Sequence, residues 1–312
     1  ALTAKLIVSV SQDEIGIKPM LSENTHLDNL KGAILLKLEL MALTQALQAK
    51  EVLQKKDYLK NALTIRKYRQ SLFPDNIEND FERHEGMAEY TGYKLCGLDE
   101  NLLSKTFAQK LESSMNKEGL ANSFAYLTGP AYGFIFDDFK IEWIKDILQG
   151  KSLPEIGSAI VGNNIPTDTT ILKSKVSEII NEYKAEQLIK DETEKFELQK
   201  KLVELYRQKL VKGNQLIIQN HNLSFSYNPQ EKLIPIDDLG VVYKTMRVTG
   251  EWGILEVNNG ILRANNWQTF IVSAPLSLEK ENKIFEADYK LTLNEGWAVI
   301  MIKEGKYTLK KN

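Results

Sequence analysis

Apolar positions recur at helical spacing from Ser22 to about Gly150, and this pattern predicts a run of helices. The first starts near Asn24 or Thr25, either a good N-cap, and runs through HLDNLKGAILLKLELMALTQALQAK. The second extends from Glu51 to about Phe73 and stops at Pro74, which biases the residue before it away from helical geometry. The third runs from Glu78 to Cys96 and ends at Gly97, a residue suited to a helix C-terminus. Another follows Asp99. A further helix covers Leu120 to Phe139, with Gly129-Pro130 bending it. Short connections predict antiparallel neighbours packed as a bundle.

The pattern then changes twice. Lys151 to Thr170 carries Pro154, Gly157, Gly162, Asn163-Asn164 and Pro166 and reads as a loop. Ile171 to Lys212 reads as one long charged helix or two, a solvated bridge between domains, with a dimerising coiled coil as the alternative that its irregular heptad spacing disfavours. Beyond Gly213 the runs QLIIQN, LSFSY, GVVYKTMRV, WGILEV, GILRA, TFIVSA, FEADYKLTL and WAVIMI are short and rich in β-branched and aromatic residues. Asn258-Asn259-Gly260 reads as a hairpin turn between two of them, and Asn294-Glu295-Gly296 and Glu304-Gly305 are similar. The expected fold class is α+β: a helical domain over residues 1–150, a loop and charged linker helix over 151–212, and an antiparallel β domain, a sandwich or partial barrel, over 213–312.

Composition narrows the function classes. The 312 residues carry 40 basic and 42 acidic side chains, a net charge of −2, without the basic surplus that a general nucleic-acid binder needs. The single cysteine, Cys96, excludes an intrachain disulfide; it follows an apolar helix face and is expected to be buried and inert. The apolar runs are too short for a membrane span of about 20 residues. The chain opens at Ala1 without an initiator Met and reads as processed or truncated; residues 1–10 (ALTAKLIVSV) lack the basic start and cleavage site of a signal peptide. The compartment is not encoded here, and a signal segment removed upstream would make the protein extracytoplasmic.

The densest chemistry lies on the third helix. Glu78, Glu82, Glu85 and Glu89 follow at spacings of 4, 3 and 4, which places four carboxylates along one side. Like charges on one stripe repel unless solvent, cations or a metal compensates them, and a wet helix face is the plainer alternative. Gly86, Ala88 and Gly92 between the acids allow close approach of a helix or ligand. On the first helix Asp28 and Glu39, about three turns apart, share one face. A carboxylate among Leu36, Leu38, Leu40 and Met41 needs a partner, either Arg66, Arg69 or Arg83, or else it borders a substrate cleft. His26 reads as a cap or surface residue that borders the same cleft with Glu89. Its Glu-x-x-His unit with Glu23 occurs once, whereas a di-iron bundle needs two. Tyr90, Tyr93, Tyr126 and Tyr132 border this region; Tyr132 is the expected oxyanion-stabilising phenol. Trp252, Trp267 and Trp297 either pack the β core or line a glycan or peptide surface.

The stretch His84-Glu85-Gly86-Met87-Ala88-Glu89-Tyr90 resembles the third-ligand helix of gluzincin metallopeptidases, whose aminopeptidase branch carries Asn-Glu-Gly-Phe-Ala-x-Tyr. The runs HLDNLKG…LKLELMAL, EGMAEYTG and GPAYGFIFDDF extend the likeness, to a group of bacterial gluzincin-like proteins, over most of the chain from Ser22. The resemblance implies that Glu85 is a zinc ligand and that the substrate is a peptide or protein. Gluzincins draw two further ligands and a general base from a His-Glu-x-x-His helix. The three histidines here, His26, His84 and His221, are nowhere four apart, and Leu6 to Ser11 stands before Gln12 where that helix is expected. Two expectations follow: zinc-dependent hydrolysis if the motif is supplied elsewhere, or a pseudoenzyme on the same scaffold. The rival class is a non-catalytic binding protein for a peptide, glycan or protein partner. The chain has no phosphate-binding loop, dinucleotide fingerprint or nucleophile elbow.

Overall fold

A computed structural model describes residues 24–117, 119–219, 222–229, 231–275, 284–286 and 288–312. The expectations for residues 1–10, for the segment before Gln12 and for Glu23 lie outside these residues. The chain is α+β and divides into two compact units, Ala1–Phe196 and Glu197–Asn312. The boundary thus falls inside a helix rather than at the loop after Gly150.

The first unit is helical. A 3-10 turn, Thr25–Asp28, precedes α1 (Leu30–Gln48), whose N-cap is Asn29: its side chain accepts from Gly32 N–H at 2.9 Å. The helix therefore starts later than Asn24 or Thr25, and Asp28 lies outside it. Next come α2 (Val52–Leu72) and α3 (Glu78–Phe81). A π-helical turn, Glu82–Gly86, leads directly into α4 (Met87–Leu95). After these come α5 (Glu100–Ser114), capped by Asp99, and α6 (Ala125–Asp138), which continues through Pro130. The core unites Leu36, Leu38, Leu43, Leu59, Ile65, Phe107, Phe124, Ile135 and Phe136, all buried.

Three helices follow: α7 (Trp143–Leu148), before the expected loop; α8 (Leu153–Ile160), inside that loop; and α9 (Thr169–Glu182), where a charged helix was expected. α8 forms because Pro154 lies in its first turn, where no N–H is needed, and because Ser152 N–H and Oγ–H both donate to Glu155 Oε2 at 2.7 Å. α9 is no solvated bridge, since Leu172, Val176 and Ile179 are buried in the helical core. A break at Lys184, in the left-handed region (φ 51°), separates it from α10 (Glu186–Arg207).

The second unit holds β1 (Gln215–Gln219), β2 (Ser224–Ser226), β3 (Ile234–Ile236), β4 (Gly240–Tyr243), β5 (Met246–Gly250) and β6 (Gly253–Val257). It continues with β7 (Ile261–Ala264), β8 (Thr269–Ser273), β9 (Ile284–Glu286), β10 (Tyr289–Leu293), β11 (Trp297–Lys303) and β12 (Lys306–Lys311). They form two sheets, ordered β11-β12-β1-β8-β7-β4-β3 and β2-β5-β6-β10-β9. All pairings among the described residues are antiparallel except β1 with β12. The shared core takes Leu216, Ile261, Phe270 and Val272 from one sheet and Val248, Leu255, Val257 and Leu291 from the other. The outer face of the first sheet is covered by Tyr206 and Leu210, packed with Ile236, Val242 and Leu262.

The Asn258-Asn259-Gly260 turn is not a hairpin, because β6 and β7 belong to different sheets. Gly260 is needed there for a positive φ of 97° and because a Cβ would lie 2.3 Å from the Tyr206 ring. Asn294-Glu295-Gly296 likewise crosses between sheets, whereas Glu304-Gly305 joins β11 and β12 as a hairpin.

Candidate functional site

α2 aims Arg66 and Arg69, one helical turn apart, at three acidic side chains. Arg66 Nε donates to Glu39 Oε1 at 2.7 Å, and its two Nη groups grip both oxygens of Glu82. Arg69 donates to both oxygens of Glu78, at 3.0 and 2.6 Å. Arg69 Nη2 also lies 2.7 Å from Glu39 Oε2, as an ion pair out of hydrogen-bond alignment, since that oxygen receives no hydrogen bond. His26 Nε2 is 2.6 Å from Glu78 Oε1, Thr128 Oγ1 donates to Glu82, and the Tyr132 hydroxyl donates to Glu39 at 2.8 Å. The arginines, the three glutamates, Thr128 and Tyr132 are wholly buried.

This ionic core takes up three of the six expected site residues, His26, Glu39 and Tyr132. Glu39 follows the ion-pair alternative, with Arg66 and Arg69 but not Arg83. Tyr132 is a core residue whose hydroxyl is spent on Glu39, so it faces no substrate cleft. His26 is tied to Glu78 rather than capping α1. Asp28 is exposed and accepts from Ala121 N–H at 3.3 Å. Cys96 is exposed rather than buried.

Charge balance explains the proton affinities. Burial pushes Glu78 up, but Arg69 and the His26 hydrogen bond outweigh it and hold Glu78 well below the usual carboxylate range. Burial pushes Glu82 up further than Arg66 pulls it down, so its net shift is upward. Three carboxylates face two guanidiniums, and Glu82 is where the excess negative charge is relieved. Tyr132 is raised by burial and by the Glu39 charge.

The four-glutamate stripe is split by the π-helical turn. A π turn inserts one extra residue and rotates everything downstream, a departure that recurs at functional sites. Glu78 and Glu82 therefore enter the core, while Glu85 and Glu89 lie half-buried beyond it. The turn is held against α6 where Gly86 and Gly129 meet backbone to backbone. Glu89 pairs with Lys110 at 2.9 Å. Glu85 accepts a hydrogen bond from the Tyr126 hydroxyl at 2.5 Å, and this bond pushes the phenol up to about 12. Tyr126, not Tyr132, is thus the phenol beside Glu85. Among the described residues, Glu85 alone of the four carboxylates has no cationic partner.

The donors around Glu85 do not make a zinc site. A His-His-Glu centre needs two imidazoles, but His84 is exposed and His26 is engaged in the core. Among the described residues no three His, Cys, Asp or Glu side chains are grouped to hold a metal.

On another side of the same helical segment lies a groove of about 690 Å³. Lys67 and Gln70 of α2, Asn79, Asp80 and Arg83, and Ser152, Glu155 and Ser158 around α8 line it. Arg83 is fixed by Asp80 at 2.6 Å and by Gly150 O at 3.1 Å, while Lys67 is exposed. None of the expected cleft residues lines this groove. A charge pattern in the sequence matches the ionic core: Arg66 and Arg69, three apart, face Glu78 and Glu82, four apart, so the pairing rule that applies to Glu39 extends to these two glutamates. Among the described residues no helix is long and apolar enough to cross a membrane. The chain matches no family model, curated protein or solved structure.

Proposed function

We propose that the helical unit is a metallopeptidase-like scaffold in which Glu85 is the cation-facing carboxylate, and that its ligand is a peptide or protein. The observation that carries this reading is that Glu85 sits half-buried at the end of a π-helical turn with a phenol, and among the described residues no cation, as its partner. A carboxylate so placed takes up a cation: a zinc ion when two imidazoles join it, or an amino or guanidinium group when they do not. The sequence holds no His-Glu-x-x-His pair, so the chain acts as a pseudoenzyme unless that motif is supplied by another segment.

Zinc titration of the full chain tests the metal-facing role. Zinc bound by the parent and lost on Glu85→Gln, with Tyr126→Phe still binding, supports it. No uptake, or equal uptake by Glu85→Gln, rejects zinc as the cation, and a peptide amine that binds the parent and Glu85→Gln equally rejects the cation-facing role altogether.

A second reading, non-catalytic capture of a peptide, is favoured by the groove lined with the amides of Gln70 and Asn79 and the cations Lys67 and Arg83. These groups suit the main chain and acidic side chains of an extended peptide. Binding of acidic peptides that Lys67→Glu weakens, without turnover and without dependence on Glu85, selects this reading over the first.

A further inference from the structure

Among the described residues the two sheets of the second unit end on four edge strands, and three of these are short. β2, β3 and β9 have three residues each, and β3 carries Pro235, which has no N–H to offer. β11 is the exception. It has seven residues, Trp297–Lys303, no proline, and a charged side chain only at its last position. Met301 and Ile302 near its end are both more than half exposed. A row of unpaired N–H and C=O groups on such a strand recruits another strand, which is why sheets commonly blunt their edges.

The ladder shows which groups are open. Asn312 N–H donates to Gly296 O at 2.7 Å, so these two form a hydrogen-bonded pair that continues the β11–β12 register. By alternation Ala298 and Ile300 bond to β12, whereas Val299 and Met301 turn their N–H and C=O groups away from it. No strand lies on that side among the described residues. The register shift in β11 comes only past Met301, so the open run is regular.

Charge says what fits there. The chain carries a net −2, yet residues 297–312 hold Lys303, Lys306, Lys310 and Lys311 against Glu304 alone. Lys306 is spent on Gln215, and burial and the neighbouring Lys303 charge lower its proton affinity. Lys303, Lys310 and Lys311 are exposed, without an ion pair among the described residues. Lys310 stands opposite Ala298, whose small side chain leaves the lysine stem room to cross β11. A strand added about 4.8 Å beyond β11 comes within its reach. A second copy of this edge would set the same lysines against one another, so the charge favours an acidic occupant.

We propose that β11 is a docking edge for an extended acidic peptide of a partner protein, which adds as a further strand on Val299 and Met301 with its carboxylates beside Lys303 and Lys310. The edge belongs wholly to the β-rich unit and shares no residue with Glu85 or with the groove at Lys67. It therefore stands or falls separately from both readings above.

Calorimetric titration of the full chain, as parent and as Lys67→Glu, with a capped heptapeptide of alternating glutamate and valine tests the proposal. Both forms are expected to bind it. The same peptide N-methylated at alternate residues, and its lysine–valine counterpart, should each bind more weakly by about tenfold or more. Met301→Pro should abolish binding and leave the melting temperature close to that of the parent, because the N–H removed has no partner in the ladder. Joint replacement of Lys303, Lys310 and Lys311 by Gln should abolish the preference for the acidic peptide without touching the backbone edge. No binding by Lys67→Glu, equal binding of the N-methylated peptide, or unchanged binding by Met301→Pro would each overturn the assignment. So would a concentration-dependent dimer that Met301→Pro dissolves, which would give the edge to a second copy.

Discussion

Gly129 packs on Gly86 so closely that a Cβ on Gly129 would lie 2.5 Å from the Gly86 Cα. This contact lets α6 press on the π-helical turn, which carries Glu82 inward and leaves Glu85 beside Tyr126. Gly129→Ala is expected to cost about 1–3 kcal/mol, since backbone rather than a flexible side chain must move. Gly92, in α4 with nothing within 4 Å of its Cβ position, is the control. Gly92→Ala should gain up to about 1 kcal/mol from helix propensity. Urea denaturation of both variants checks the contrast.

Removing Arg66 leaves Glu39 and Glu82 buried without their main counter-charge. Arg66→Met should therefore destabilise the helical unit by about 3–5 kcal/mol. Lys110→Met, which breaks the part-exposed pair with Glu89, should cost less than about 1 kcal/mol. Chemical unfolding followed by far-ultraviolet circular dichroism separates these outcomes.

The two buried glutamates of the third helical segment predict opposite pH slopes. Glu78 is depressed in the folded state, so its contribution is complete above the unfolded value of about 4.3 and is lost as pH falls. Glu82 is raised, so its contribution is present below about 4.3 and is lost as pH climbs through the raised folded value. The cost of Glu78→Gln should be larger at about pH 6 than at about pH 3, and that of Glu82→Gln larger at about pH 4 than at about pH 7. Parallel profiles would contradict the assignment.

Tyr126 reports on Glu85 directly. Its phenol titrates at about 12 because ionisation breaks the hydrogen bond to Glu85 and sets two negative charges side by side. In Glu85→Gln it should fall toward about 10. Ultraviolet absorbance titration, with Tyr126→Phe identifying the transition, measures the shift.

Much of this architecture was legible as pattern. Helical spacing located the bundle, and β-branched runs located the strands, because both are local properties. α8 was hidden because Pro154 and Gly157 look like breakers. Pro154 instead occupies the first turn, and Gly157 makes room for Leu63, 3.0 Å from its Cβ position. The crossover at Gly260 was hidden because a two-sheet path and a hairpin use the same turn residues. At the site, the rule that a buried carboxylate needs a partner offered Arg66, Arg69 or Arg83 for Glu39 beside a cleft position, and the structure pairs it with the first two. The division of the glutamate stripe depended on one extra residue in a helical turn, which leaves no mark in residue spacing.

The parallel pairing of β1 with β12 bears on how the two units acquire their structure. The Thr308 hydroxyl donates to Ile217 O across 91 residues of chain, and the helical unit closes a comparable span where the Tyr132 hydroxyl donates to Glu39, 93 residues away. Chain closure over such a span is slow compared with local helix docking. Refolding from denaturant should therefore return helical circular dichroism, a local property, before the fluorescence of Trp143 in the helical core and of Trp252 in the sandwich core becomes native.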